Sequence, residues 1–176
     1  MSLFNGTRLD DTTFKLDIER MRMGWYADKY FVNIATMLQK LSEQGYLYQG
    51  QNHLLPEGIT PENIVTGDIE VEMQWFTRRP GKTIVVGVDK ALTMLKHATG
   101  YFKDGEFINT ADQLEVWAVQ DGDVVHYDGN PLHVQPVMRV RGRYRDFAIL
   151  ETSTLGILAR ASRMFTTHKW QSMENR

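Results

Sequence analysis

The chain has 176 residues, 42% of them hydrophobic, with 20 lysines and arginines against 22 aspartates and glutamates. That suits one medium domain with a real core, and the near-zero net charge excludes a global attraction for nucleic acid. The lack of cysteine excludes disulfide and thiolate chemistry and fits a cytoplasmic setting, while no apolar run of signal-peptide or membrane-span length occurs.

Residues 26–44 keep helical spacing, with Tyr30, Ile34, Met37, Leu38 and Leu41 as an apolar stripe. Gly45 predicts the stop, and Asp17 and Asp28 are the candidate caps. Residues 46–68 read as a polar connector in which Thr60-Pro61-Glu62 predicts a capped turn. "IEVEMQWFTRR" then alternates, placing Val71, Met73 and Trp75 on one face of a half-buried strand. "RPGK" turns the chain into a second short strand, "TIVVG". Val88, Ala91, Leu92 and Leu95 mark a helix ended by Gly100.

The turns "QDGD" and "YDGNP" separate three strand-like runs, the last alternating through Leu132, Val134, Met138 and Val140. Short strands joined by such turns predict a compact β layer. After Gly142 the period becomes helical through Phe147, Leu150, Leu155, Leu158 and Met164. The expected organisation is an α+β domain over 1–142, followed by a helix over 143–176.

Three stretches carry chemistry. In "GWYADKYF" (24–31) Trp25 and Tyr26 lie about 100° apart on a helix, so one ring is expected to leave the core and offer a stacking surface. Tyr30 and Phe31 are expected to pack inward. In "FTRRPGK" the guanidinium groups of Arg78 and Arg79 stand at a strand end, where they match phosphate oxygens. In "RVRGRYRDF" an extended chain would align Arg139, Arg141, Arg143 and Arg145, but neighbouring acids and a single interleaved tyrosine argue against nucleic-acid binding. The histidines are scattered, and no metal-binding or nucleophile motif occurs, so no metal ligand is assigned.

Taken in order, "GWYADKYF", "VEMQWFTRR" with "VVGVDKAL", "VWAVQDGDVVHYDGNPLHVQPVMRVRGRY" and "FAILETSTLGILARASR" resemble the N-terminal part of nicotinate phosphoribosyltransferase, of the type II phosphoribosyltransferase family. The resemblance covers most of residues 15–163. It implies an N-terminal α/β domain and a long helix leading towards an irregular α/β barrel that this chain lacks. The reaction it implies joins nicotinate to phosphoribosyl pyrophosphate, with ATP hydrolysis and magnesium, giving nicotinate mononucleotide in NAD salvage.

By the same resemblance the site spans a head-to-tail dimer, or here a complementary barrel chain. Tyr26 stacks on the nicotinate ring, Arg78 reaches the phosphates, and Arg79 is a second phosphate candidate. No residue is assigned a catalytic role. The phosphorylated histidine belongs to the barrel, His168 is not its substitute, and the chain alone is expected to bind no ATP or magnesium and to be inactive. The quinolinate and nicotinamide branches share the fold. The alternative is a non-catalytic binding or assembly module.

Overall fold

The computed structural model describes residues 8–51, 53 and 55–174, with the side chains of the last helix described through Thr167. Its elements mix helices and short strands in an α+β arrangement, as the sequence predicts. Helix α1 (Ile18–Arg22) is capped by the Asp17 carboxylate, which accepts from the Arg20 amide at 3.3 Å. Helix α2 (Lys29–Glu43) begins after Asp28, whose own amide donates to Thr152 Oγ1 at 3.1 Å. It stops at Gln44 because Gly45 takes φ +60°, a left-handed conformation that glycine adopts without steric cost.

The main sheet is antiparallel, in the order β1 (Glu70–Phe76), β7 (Pro136–Arg143), β5 (Glu115–Ala118). Trp75 faces Met138, which faces Ala118; Met73 faces Val140, which faces Val116. Their shared face packs on α3 (Val88–Ala98) and on Phe147, Leu150 and Leu158 from the C-terminal helices, forming one core. Full burial of side chains of this size contributes about 1.5–3 kcal/mol each. The short helix α4 (Tyr144–Phe147) and the long α5 (Glu151–Glu174) therefore share a core with the preceding sheet. Two smaller pairs complete the β content: β2 (Gly81–Ile84) with β6 (Val124–Tyr127), and the hairpin β3 (Gly100–Lys103) with β4 (Glu106–Asn109).

Helix α5 also serves as a neighbour for β2. Ser162 Oγ accepts from the Val86 amide at 3.0 Å and donates to the Val86 carbonyl at 3.2 Å. One turn on, Thr166 Oγ1 accepts from the Ile84 amide at 3.0 Å and donates to its carbonyl at 3.4 Å. Residues four apart share a helix face, so one hydroxyl stripe satisfies an edge that no strand covers.

The N-terminal arm is held by a buried ion pair. Arg8 Nη1 donates to Asp89 Oδ1 at 2.7 Å, and its Nη2 donates to the carbonyls of Ala118 and Val119. Asp121 in turn accepts from the Val88 amide at 2.8 Å at the start of α3. There Gly87 has φ +100°, and an added Cβ would lie 2.8 Å from Ile157 Cγ2, so only glycine fits between α3 and α5.

Three local expectations need correction. Phe31 is buried, but Tyr30 is 55% exposed: consecutive helical residues diverge by about 100°, and the buried stripe runs through Phe31 and Leu38, leaving Tyr30 and Met37 outside. Strand β7 starts at Pro136, and Leu132 is 87% exposed in a turn held by Asp128, Asn130 and His133. The four-arginine stripe is broken. Arg145 lies in α4, buried and paired with Asp68 at 2.8 Å, while Arg143 pairs with Asp146 at 2.9 Å. Arg139 and Arg141 remain on the exposed sheet face, 3.7 and 4.0 Å from Glu72 and Glu70. Acids on the neighbouring strand thus neutralise the basic face.

Candidate anion-binding site

Strand β1 ends in an irregularity. Its register to β7 shifts between Trp75 and Phe76, where the partner is Pro136, which has no amide to donate. The chain leaves the sheet there, which sends Thr77, Arg78 and Arg79 towards the middle of α5. Arg78 stacks over the Phe76 ring at 5.6 Å, and Arg79 Nη1 donates to Thr167 Oγ1 at 3.3 Å. Both arginines are exposed at the mouth of a pocket of about 240 Å³.

This pocket lies between β1, β2, β6, β7 and α5. Val85, Val125, Val137, Leu155 and Leu158 give it an apolar wall, and Arg163 joins the tandem arginines. Among the described residues no carboxylate lines it. Two of its lining side chains, Trp75 and Thr83, are each 5% exposed, and neither Trp75 Nε1 nor Thr83 Oγ1 has a hydrogen-bond partner. An apolar hollow ringed by guanidinium groups suits a small anion with an apolar body.

A larger cavity, about 770 Å³, opens between the N-terminal arm, α3 and β5. Its polar lining is mainly acidic, with Asp10, Asp11, Asp89 and Asp112 beside Arg8 and Lys96. Lys96 Nζ lies 2.5 Å from Asp11 Oδ2, and His97 Nε2 is 3.0 Å from the same oxygen. The hydrogen bond from Lys96 holds the Asp11 carboxyl below the ordinary range against the effect of burial, with His97 adding to it. Both cations among its described lining residues, Arg8 and Lys96, are paired with acids.

Tyr26 stands elsewhere. Its ring is 46% exposed between α1 and α2, and its hydroxyl donates to Asp17 Oδ2 at 3.0 Å. Burial pulls the Asp17 carboxyl upward, but hydrogen bonds from the Arg20 amide and Tyr26, with the Arg20 charge, leave it below its usual value. Trp25 is also exposed, at 68%, with Arg20 stacked at 5.3 Å, so both adjacent rings leave the core. Beside this end of α5, burial and the charge of Asp28 push Glu151 upward. Thr152 marks Tyr26's end of the helix and Arg163 marks the pocket, so about 16 Å of helix separates them. The chain brings Arg78 and Arg79 together, with Tyr26 in a separate place.

Trp75, Thr83 and Arg163 were not singled out by the sequence. Trp75 reads simply as an inward strand residue, and only the packing reveals that its indole N–H lacks a partner. Among the described residues no group of three or more His, Cys, Asp or Glu could hold a metal ion. No described helix is long and apolar enough to cross a membrane. The His168 side chain lies outside the described residues.

An α+β domain with a long C-terminal helix and a tandem-arginine pocket is the class this geometry defines. The chain belongs to the family of the quinolinate phosphoribosyl transferase N-terminal domain, whose family model matches residues 58–162. It is similar in structure to nicotinate-nucleotide pyrophosphorylase from Pyrococcus furiosus, with a TM-score of 0.50 and 19% identity over 87% of this chain and 29% of that one. At that identity the likeness speaks for the fold. The chain thus spans under a third of the solved protein it matches. No curated protein matches the sequence.

Proposed function

We propose that this chain is the N-terminal domain of a type II phosphoribosyltransferase of pyridine nucleotide biosynthesis that acts on nicotinate and lends side chains to a barrel on another subunit. One observation carries the reading: the family match runs from before β1 into α5 and includes the tandem arginines, which line a pocket with no carboxylate among its described residues. The exposed rings of Trp25, Tyr26 and Tyr30 supply an apolar face for a neighbouring subunit.

In this scheme Tyr26 presents its ring to the planar base, with the Asp17 hydrogen bond fixing its tilt. Arg78, with Arg79 beside it, neutralises phosphate oxygens of phosphoribosyl pyrophosphate. Departure of pyrophosphate leaves an oxocarbenium-like ribose, so fixed positive charge aimed at the leaving group is stronger in the transition state than in the ground state. Magnesium supplies further charge neutralisation, and ATP coupling depends on a phosphorylated histidine; both belong to the barrel in this proposal. The domain alone is inactive.

The test is product formation. Purified chain with nicotinate, phosphoribosyl pyrophosphate, ATP and magnesium should give no nicotinate mononucleotide, and adding the complementary barrel should restore it. Product from this chain alone would overturn the division of labour. Faster turnover of quinolinate than nicotinate in the assembled enzyme would move the reading to the other branch. In that assembly Tyr26→Ala should raise KM for the base about tenfold or more, while the variant's melting temperature stays within about 3 °C of the parent, since an exposed ring contributes little to the core. Equal KM values in parent and variant would remove Tyr26 from the site.

A further inference from the structure

The cavity between the N-terminal arm, α3 and β5 is a groove with a sheet edge as one wall. Strand β5 ends the main sheet and pairs with β7 on one side only. Successive residues of a strand turn their backbone groups to opposite edges. The Val119 amide donates to the Val137 carbonyl at 3.0 Å, so Val119 and Trp117 face β7, while Val116 and Ala118 face away from it and line the cavity. The Ala118 carbonyl accepts from Arg8 Nη2 at 3.1 Å. The Ala118 amide and both backbone groups of Val116 have no partner among the described residues. Hydroxyls of α5 fill the edge of β2, but this edge stays open. Leu92 of α3, with Leu114 and Val116, gives the groove an apolar wall that the core covers only in part. The rim is acidic. Asp112 makes no hydrogen bond or ion pair among the described residues, and the Asp10 carboxylate bonds only Thr12.

We infer that this groove docks an extended, basic segment of a partner protein, which adds to β5 as a further strand of the main sheet. Side chains at every second position of such a segment point the same way, so two or three of them enter the apolar cavity together. A lysine or arginine beside them meets Asp10 and Asp112, since both lining cations are already paired. Main-chain bonds supply affinity in this mode of recognition, and the cavity and its acids supply selectivity. The volume, about 770 Å³, lies in the usual range for binding sites and takes several side chains. A free amine would leave the row of open backbone groups unpaired, and only another backbone repeats their spacing. The inference goes beyond the function proposed above and uses none of Tyr26, Arg78 and Arg79.

The test is titration of the 176-residue chain with a blocked heptapeptide, lysine-threonine-leucine-threonine-leucine-threonine-lysine, followed by backbone amide signals in a nitrogen–proton correlation spectrum. Two further peptides serve as probes: one with glutamate in place of both lysines, and the backbone N-methylated form, which cannot donate to a strand. The expected result is saturable binding of the lysine peptide that shifts the Val116 and Ala118 amides and slows their hydrogen exchange. The glutamate and N-methylated peptides should bind far more weakly. Asp112→Lys changes an exposed side chain and leaves folding intact. At low salt it should weaken the lysine peptide about threefold or more and strengthen the glutamate peptide, as exposed charge pairs do. No saturable shift at millimolar peptide overturns the site. Equal binding of the N-methylated form overturns strand addition, and equal binding of the glutamate peptide overturns the basic partner. A chain that dimerises and already protects both amides without peptide gives the groove to a second copy and overturns the partner as well. None of these results depends on a barrel, so the two proposals fail separately.

Discussion

At the scale of single residues, Asp89 is a costly side chain to lose: it is 6% exposed and receives Arg8 Nη1 and the Leu9 amide at 2.7 and 2.9 Å. Breaking one half of a buried pair leaves a desolvated charge, so Asp89→Ala should destabilise the fold by about 3–5 kcal/mol. Urea denaturation measures this, and a loss below about 1 kcal/mol would show that water reaches Arg8. Residue-level roles were only partly legible. The expectation that Trp25 and Tyr26 diverge on a helix, with one ring leaving the core, does not hold: both lie in the turn between α1 and α2 and both are exposed. Helical geometry separates Tyr30 from Phe31, where an inward pair was expected. The unsatisfied indole of Trp75 leaves no trace in sequence, because it depends on five elements meeting around one side chain.

At the scale of elements, alternation and helical period located most of the secondary structure. Strand β1 buries the face its sequence pattern predicts, and α3 spans the expected apolar stripe. The hairpin β3–β4 went unread although Asp104-Gly105 carries its signal: both take positive φ, at 52° and 84°, as a tight two-residue turn requires. The end of β7 at Arg143 lies one residue beyond Gly142, after which the helical period begins, and Arg145 belongs to α4, drawn inward by Asp68. Nor does any local pattern show Ser162 and Thr166 pairing with β2, since small polar residues on a helix ordinarily read as surface. Thr166→Val keeps the shape and deletes the hydroxyl, leaving the Ile84 amide and carbonyl without that partner. It should cost about 1–3 kcal/mol and speed hydrogen exchange at Ile84 more than at Val140. Uniform acceleration across both amides would argue for global loosening instead.

At the scale of the whole molecule, the acids divide by environment. Asp11 and Asp128 are held below their ordinary range, chiefly by hydrogen bonds from Lys96 and His133 respectively. A depressed carboxyl contributes stability that is present above its unfolded pKa and lost as pH falls through the folded one. Glu151 is raised by burial and then by Asp28, so its sign is opposite: its contribution is present at low pH and lost as pH rises through the raised value. Melting temperature should therefore fall on acidification below about pH 4. Asp11→Asn should flatten that acid limb, while Glu151→Gln should raise the neutral-pH melting temperature and leave the acid limb in place. A Glu151→Gln protein that melts lower at neutral pH would mean that Glu151 makes a favourable contact there.

The hydroxyl stripe on α5 has a consequence beyond stability. A strand whose outer amides and carbonyls stay open invites another chain to add itself, and proteins commonly deter this with charge, proline or a bulge. Here Ser162 and Thr166 occupy the bonding positions of Ile84 and Val86, so a helix guards the sheet against its own kind. The guard depends on register. Sliding α5 by one residue would rotate both hydroxyls about 100° away from β2 and leave that edge ready to recruit a foreign strand.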